Sequence, residues 1–323
     1  MIADLLPPRL SVVAADQGGV VTMAQAAAVG IDRHEMSRWV AAGRVHRIRR
    51  GAYIAADHWA QADEDARHVL TARAVLLGLS APCAVSHGTA VLVRELRHYR
   101  LAFAKVHVTH DLGRGSSRHE AGVTHHRAVL PPDDHDVVTG LPTTTDARTA
   151  VDVARHHPFA TAVVVADHVL ARGTTRAALR QALVDQSDHP GARAAARAIT
   201  AADGRSESVG ESLGRLAFGA ADLPPDQLQL SIHTDRGTFR TDYAWTRWRL
   251  VGEFDGRIKY GRLLEPGQTT QDVLWRERQR ELAIERAGWL GVRFTWAEIF
   301  DPGLVRARLL EAISRSRALG LTA

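Results

Sequence analysis

The sequence predicts a multidomain chain of the α/β (α+β) class with three parts, residues 1–58, 59–195 and 196–323. At 323 residues and 45% hydrophobic content, the chain is longer than one average domain and apolar enough to fold. Residues 1–58 combine helix signals with a basic hairpin, and residues 241–260 combine a hairpin with clustered carboxylates. The stretch 188–205 is rich in small residues, which predicts a hinge before the last part.

The first 56 residues predict three short helices and a basic hairpin. Residues 10–17 form the first helix, Thr22 caps a second over residues 23–28, and Asp32 caps a third that runs to Ala42. The hairpin turns at Arg50-Gly51. This is a winged helix-turn-helix, which places its third helix in the major groove and its wing on phosphate; a small charged helical cap is the alternative. The residues expected to contact DNA are Arg33, His34, Ser37, Arg38, Arg47, Arg49 and Arg50.

Residues 19–54, GVVTMAQAAAVGIDRHEMSRWVAAGRVHRIRRGAYI, resemble the N-terminal domain of AbiEi-type antitoxins. The resemblance implies a DNA-binding regulator that often represses its own operon, with a cognate toxin as a partner. SHGTA at 86–90 and TTDARTAVDVA at 144–154 extend the resemblance into the middle part, for which it implies no chemistry.

Residues 60–195 predict a mixed α/β region. A helix is expected over 62–79, and PTTTDARTAVDVAR predicts a loop that enters a second helix, with an Arg148–Asp152 pair. Strands are expected near 105–109 and 122–127. The histidines raise the question of a zinc site: His107, His110, His119, His125, His126 and His135. However, residues three apart on a strand point to opposite faces, as do adjacent ones, which separates His107 from His110 and His125 from His126. This spacing disfavours a metal site.

Residues 241–260 predict a β-hairpin with Asp242 on one strand, Glu253 and Asp255 on the next, and Lys259 just beyond. Glu253 and Asp255 leave the same face because they are two apart, and Asp242 can reach Glu253 across a turn at 246–247. Carboxylates clustered among apolar residues are costly unless a cation compensates their charge. Bound Mg²⁺ or Mn²⁺ would polarise a phosphodiester and generate the hydroxide that hydrolyses it. The alternative is an edge hairpin with a solvated acidic face.

Lysine is rare in this chain, since Lys105 and Lys259 are the two lysines among 41 basic residues. An ammonium can lose a proton at workable pH, whereas a guanidinium cannot. Lys259 is therefore a candidate to position or deprotonate water, with chance placement as the alternative.

The series ESLGRL, RTDYAW, GEFDGRIKYGR and DVLWRERQRELAIERAGWLGVRFTW resembles the PD-(D/E)XK nuclease superfamily, in the branch similar to very-short-patch repair endonucleases. The resemblance spans residues 205–315 and implies a restriction-endonuclease-like core of helix, three-stranded antiparallel meander, helix and further strand. It implies Asp242, Glu253 and Asp255 as metal ligands, Lys259 as the group that positions water, and Glu211 as a supporting acid. The sequence departs from the motif at Asp255, which stands where the motif has lysine.

The flanks of the hairpin predict packed helices. Ser206 is the expected N-cap of a helix through Ala220, and Asp301-Pro302 starts a terminal helix. A helix over 271–287 precedes a strand over 291–295. That helix carries polar residues that either contact phosphate or pair with glutamates 277 and 281: Arg276, Arg278, Gln279 and Arg280.

Composition narrows the partners. A net charge of +5 favours double-stranded DNA as a binding partner. The single cysteine excludes an intramolecular disulfide, which suits the reducing cytoplasm. No apolar run is long enough to span a membrane. The sequence therefore predicts a cytoplasmic DNA-binding protein with a metal-dependent endonuclease domain for defence or repair. The main alternative is a non-catalytic AbiEi-like antitoxin or repressor that retains a nuclease fold. A weaker one is an RNA-directed partner of a toxin.

Overall fold

Helices and sheets mix along the chain, which confirms the predicted α/β (α+β) class. The computed structural model describes residues 7–113, 115–256 and 270–322, so Lys259 lies outside the described residues. The chain forms two compact units, one of residues 1–165 with 174–199 and the other of residues 166–173 with 200–323. The domain boundaries predicted after residues 58 and 195 stay predictions.

The first unit begins with a winged helix. Its elements are α1 (Pro8–Asp16), β1 (Val21–Thr22), α2 (Met23–Ala28), α3 (Arg33–Ala41), β2 (Val45–Arg49) and β3 (Ala52–Ala55). Strand β3 pairs antiparallel with β1 and β2. As predicted, Thr22 caps α2 through a capping box with Gln25, and Asp32 caps α3 by accepting the Glu35 N–H at 2.7 Å. Local capping signals therefore set the helix starts here.

The rest of the first unit is built on a six-stranded mixed sheet of order β6-β7-β5-β4-β9-β8. The strands are β4 (Cys83–Val85), β5 (Val106–Asp111), β6 (Gly115–Glu120), β7 (Val123–Ala128), β8 (His135–Val138) and β9 (Leu141–Thr144). Pairs β5–β7 and β4–β9 are parallel. The helices along this part of the chain are α4 (Ala56–Gln61), α5 (Glu64–Leu76), α6 (His87–Val93), α7 (Asp146–His156), α8 (Phe159–Ala171), α9 (Arg176–Asp185) and α10 (Ala192–Ala201). Residues 166–171 of α8 and 200–201 of α10 belong to the second unit.

Two predictions in this region had different outcomes. The predicted Arg148–Asp152 pair is present, with Nε 3.3 Å from the carboxylate. The stretch predicted as a hinge contains the boundary between the two units, after Ile199, but it also contains α10, in which Ala195, Ala198 and Ile199 are buried. Alanine is the strongest helix former, so an alanine-rich stretch with one apolar face folds as a helix rather than a loop.

The second unit contains a four-stranded sheet of order β10-β11-β12-β13, antiparallel except for the last pair. Its elements are α11 (Val209–Ala220), β10 (Gln227–Thr234), β11 (Gly237–Trp245), β12 (Leu250–Asp255), α12 (Thr270–Arg286), β13 (Leu290–Thr295), α13 (Trp296–Ile299) and α14 (Pro302–Ala318). Helix, antiparallel meander, helix and strand follow one another in the order that the nuclease resemblance implied.

Helix α11 packs closely against this sheet. Ser208, not the predicted Ser206, is its N-cap, because the Ser208 hydroxyl accepts the Glu211 N–H at 3.1 Å whereas the Ser206 side chain is buried before the helix starts. A Cβ at Gly210 would lie 2.0 Å from the Phe254 ring, and one at Gly214 would lie 2.4 Å from the Tyr243 hydroxyl. Both glycines therefore allow the close approach.

Within the described parts of the chain, every helix is too short or too polar to cross a membrane.

Candidate functional sites

Helix α3 exposes one polar face of the winged helix. Met36 is buried in the core beneath the helix, and Asp32 fixes its first turn. On the other face the side chains predicted to contact DNA are exposed, namely Arg33, His34, Ser37 and Arg38. The helix thus presents two arginines, a histidine and a hydroxyl to solvent from a rigid element.

The wing is the β2–β3 hairpin, which turns at Gly51 with φ of +80°. Arg47 and Arg50 are exposed. Arg49 is half-buried, and its guanidinium lies 3.6 Å from the Glu120 carboxylate of β6. Because an acid already balances Arg49, the wing offers two exposed arginines rather than the three that the sequence predicted.

The predicted acidic site lies where β11 and β12 run antiparallel. Tyr243 is the register partner of Gly252, so Asp242 and Glu253 occupy facing positions one step further along. The Asp242 carboxylate accepts the backbone N–H of Phe254 at 2.8 Å. The cross-strand placement of the two acids therefore follows the strand arithmetic of the sequence.

Glu253 is engaged by arginines. Its carboxylate forms an ion pair with Arg280 of α12 and lies 3.8 Å from Arg293 of β13. Burial disfavours the charge on Arg280, but hydrogen bonds and the charges of Glu253 and Glu277 outweigh it and raise the Arg280 pKa. The cationic groups that meet Glu253 among the described residues are thus guanidinium groups.

The other two predicted acids are Glu211 of α11 and Asp255, which follows Glu253 by two residues on β12. Glu211 is buried in the first turn of α11, where its carboxylate accepts the Glu207 N–H at 2.7 Å and the Gln229 side-chain amide at 2.9 Å. Asp255 ends β12 opposite Thr295 of β13.

Among the described residues, Asp242, Glu253 and Asp255 do not bring one oxygen each to within 4.8 Å of one another. Glu253 pairs with its arginines, and Asp242 accepts a backbone N–H. Their role as metal ligands stays a prediction. Arg280 also lies 3.3 Å from Glu277, and Arg278 lies 3.3 Å from Glu281. On α12 the predicted pairing with glutamates is therefore present.

A histidine cluster emerges that sequence reasoning missed. His107 of β5 and His126 of β7 meet on one face of the sheet, Nδ1 to Nε2 at 2.9 Å, and His110 and His125 meet on the other, Nε2 to Nδ1 at 2.9 Å. His87, at the start of α6, stacks on His126 with ring centroids 3.7 Å apart. His107 and His110 do point to opposite faces of the sheet, as do His125 and His126. Each of these histidines contacts its partner on the adjacent parallel strand. The missed signal was the pairing of the two histidine-bearing strands.

Comparison with known proteins places the chain among little-characterised relatives. The uncharacterized proteins MT2308 and Rv2248, from the CDC 1551 / Oshkosh and ATCC 25618 / H37Rv strains of Mycobacterium tuberculosis, are each 31% identical to it over 186 residues. The match covers 57% of this chain and 66% of each relative, just under two thirds of their length.

The crystal structure of the RV2827C protein from M. tuberculosis is similar at 16% identity and a TM-score of 0.40, over 59% of this chain and 75% of that one. The segment that forms the winged helix, residues 9–56, matches the family of AbiEi antitoxin transcriptional regulators.

Proposed function

We propose that this protein is a DNA-binding transcriptional regulator of the AbiEi antitoxin type. Its second unit contacts DNA or a protein partner and does not hydrolyse DNA. The observation that carries the proposal is the exposed polar face of α3 on a winged helix that matches this family. The expected partners are double-stranded DNA and, by analogy with the family, a cognate toxin, both in the cytoplasm.

The winged helix has the parts that such a reader needs. In this motif the recognition helix enters the major groove with its N-terminal residues toward the bases, and Arg33, His34 and Ser37 lie in that part of α3. Arg47 and Arg50 project from the wing, where arginines neutralise backbone phosphates. The proposal therefore assigns base contacts to α3 and positioning contacts to the wing.

The pairing of Glu253 supports a non-catalytic second unit. A metal-dependent nuclease needs its carboxylates available to a divalent cation. Glu253 instead accepts from Arg280 and lies close to Arg293. A guanidinium has a fixed charge and cannot generate hydroxide as a metal does, so this arrangement favours structural over catalytic use of the acid.

DNA binding by the full chain tests the first part of the proposal. The equilibrium constant is measured over a salt series on a duplex from upstream of its own gene and on an unrelated duplex. Each phosphate contact contributes about −0.9 to the slope of log K against log salt. Arg47→Ala and Arg50→Ala should each lower the steepness by about one unit on both duplexes. Arg33→Ala should weaken binding more on the specific duplex than on the unrelated one if α3 reads bases.

Two further variants serve as controls. Arg180→Ala removes an exposed arginine of α9 and should change nothing. Arg49→Ala should change the slope less than Arg47→Ala because Glu120 already balances Arg49. Unchanged binding by a triple Arg38→Ala, Arg47→Ala, Arg50→Ala variant would refute the proposed interface.

A metal-dependent endonuclease is the second candidate, favoured by the facing positions of Asp242 and Glu253 on antiparallel strands. It would use Mg²⁺ or Mn²⁺ on Asp242, Glu253 and Asp255, with Lys259 and Glu211 in support. Wild type and Glu253→Gln are incubated with supercoiled plasmid and either ion. We expect equal background nicking by both proteins. Divalent-dependent cleavage by wild type that Glu253→Gln abolishes would establish the nuclease instead.

A further inference from the structure

We propose that His87, His107 and His126 form a binding site for one divalent transition-metal ion, with Zn²⁺ as the best chemical match. One ring nitrogen from each of the three lies within 4.8 Å of the others, and among the described residues this is the one set of three or more potential ligands that does so. Three imidazoles suit Zn²⁺, Co²⁺ or Ni²⁺ rather than Mg²⁺, which prefers oxygen. The site is independent of the DNA interface proposed above.

Two of the ligands are fixed by the sheet. His107 and His126 project from the neighbouring parallel strands β5 and β7 to the same face. Two nitrogens bound to zinc at about 2.0–2.1 Å lie roughly 3.3 Å apart in a tetrahedral site. Their 2.9 Å separation therefore has to widen by a few tenths of an ångström. The rings, which are 16° from parallel, must also turn about Cβ–Cγ so that both lone pairs point at the ion.

The third ligand is held in an unusual way. His87 has φ of +53° at the first position of α6, a left-handed conformation that costs a non-glycine residue strain. Its side chain is buried, with the residue 3% exposed. Such strain is typical of residues that the surrounding structure holds in place for a local purpose.

The hydrogen bonds of His87 leave one nitrogen available. Nδ1 lies 2.9 Å from the Ser86 hydroxyl and 4.0 Å from the Asp152 carboxylate of α7. Nε2 is buried and has no hydrogen-bond partner among the described residues. When the proton is on Nδ1, the Nε2 lone pair accepts no hydrogen bond. Buried polar atoms are rarely left without a hydrogen-bond partner. Metal-bound imidazole usually donates its other ring N–H to an outer partner, and here the Ser86 hydroxyl is at hydrogen-bond distance from Nδ1.

Neutral imidazole is the form that binds metal. The Asp152 carboxylate, which lies 4.0 Å from His87 Nδ1, is itself approached by Arg148 and Arg155 at 3.3 and 3.5 Å.

The cluster is open on one side. His107 is half-buried, and exposed His156 lies 4.8 Å from His87, ring to ring, in an edge-on arrangement. Three protein ligands leave a fourth tetrahedral position for water or an anion, which is the open form of zinc site.

The opposite face of the same strands supplies a matched control. His110 and His125 also meet at 2.9 Å, and Glu120 lies 3.4 Å from His125, yet within the described residues no third ligand atom lies within 4.8 Å of both histidine nitrogens in one set. His125→Gln and His126→Gln change adjacent residues of one strand in the same way. A difference in metal binding between them must therefore come from the face of the sheet.

The experiment uses the full chain without a polyhistidine tag. Protein treated with EDTA and dialysed is titrated with Zn²⁺ by calorimetry and with Co²⁺ by its visible absorption. We expect wild type, His110→Gln and His125→Gln to bind one equivalent and to show the strong bands of tetrahedral cobalt. His107→Gln and His126→Gln should weaken binding at least as much as the 10–100-fold that loss of an outer partner costs. Zinc should raise the melting temperature of wild type and not of these two.

Circular dichroism establishes that each variant is folded. If His126→Gln does not fold, His107→Gln at the half-buried position decides the result. Absence of one tight equivalent on wild type, equal binding by His107→Gln or His126→Gln and wild type, or equal losses in His125→Gln and His126→Gln would each overturn the site.

Discussion

Helix α11 can be tested by placing one methyl group at its contact with the sheet. Gly210→Ala puts a Cβ 2.0 Å from a carbon of the Phe254 ring, so the ring or the helix must move by more than ~1 Å to reach ordinary contact. The ring cannot retreat freely, because Phe254 is buried and packs edge-on against Trp296 with centroids 4.8 Å apart. The substitution therefore overfills a packed core.

Two opposing terms set the magnitude. Alanine in place of glycine stabilises by about 0.5–1 kcal/mol in a helix interior and by less in a terminal turn, where Gly210 lies. Overpacking a closed core costs about 1–3 kcal/mol, and the upper end applies where the neighbour is held on its far side. Gly210→Ala should therefore lower the free energy of unfolding by about 2 kcal/mol. In Gly219→Ala, on the same helix, the added Cβ has no neighbour within 4 Å. This substitution should leave the free energy of unfolding unchanged or raise it by about 0.5 kcal/mol.

Urea unfolding followed by tryptophan fluorescence measures both changes. Five of the seven tryptophans belong to the second unit, so the signal reports mainly on the unit that contains α11: Trp245, Trp248, Trp275, Trp289 and Trp296. The midpoint of Gly210→Ala should fall without a change in slope. Wild-type stability of Gly210→Ala, or equal effects of Gly210→Ala and Gly219→Ala, would refute the close approach of α11 to the sheet.

Two more substitutions or treatments probe the structure. Ser208→Ala should destabilise the second unit by about 1 kcal/mol in urea unfolding, because it removes the acceptor for the Glu211 N–H; no loss would mean that Ser208 is not the N-cap. Burial raises the pKa of the Cys83 thiol to about 11, so labelling by a thiol reagent should be slow at pH 8 and keep rising above pH 9, where an ordinary thiol levels off. A rate that levels off near pH 9 would contradict that environment.

Local signals were sufficient for the winged helix. The caps at Thr22 and Asp32 and the turn at Gly51 each depend on a few adjacent residues, and each lies where the sequence predicts it. The facing positions of Asp242 and Glu253 also follow from short-range strand arithmetic. Predictions of this kind need no knowledge of what packs from elsewhere in the chain.

Other features depend on partners far along the chain. The Glu253 carboxylate meets Arg280 and Arg293, which are 27 and 40 residues later, so no hairpin pattern could show that the acid is already balanced. The alternation of side chains along a strand relates His107 and His126 only to neighbours on their own strands. Their contact arises from the pairing of β5 with β7, which the alternation within either strand does not reveal.

The edge strand β6 has a consequence for local stability. All six of its residues are exposed, and within the described ranges its one sheet neighbour is β7. Ser117 of β6 lies 3.1 Å from His126 Nδ1, and Glu120 lies 3.6 Å from Arg49 of the wing and 3.4 Å from His125. Exposed edge strands open at low free energy, so amide hydrogens of β6 should exchange early. When β6 frays from the sheet, Arg49 therefore loses its ion pair with Glu120, and His126 loses its contact with Ser117 at the same time.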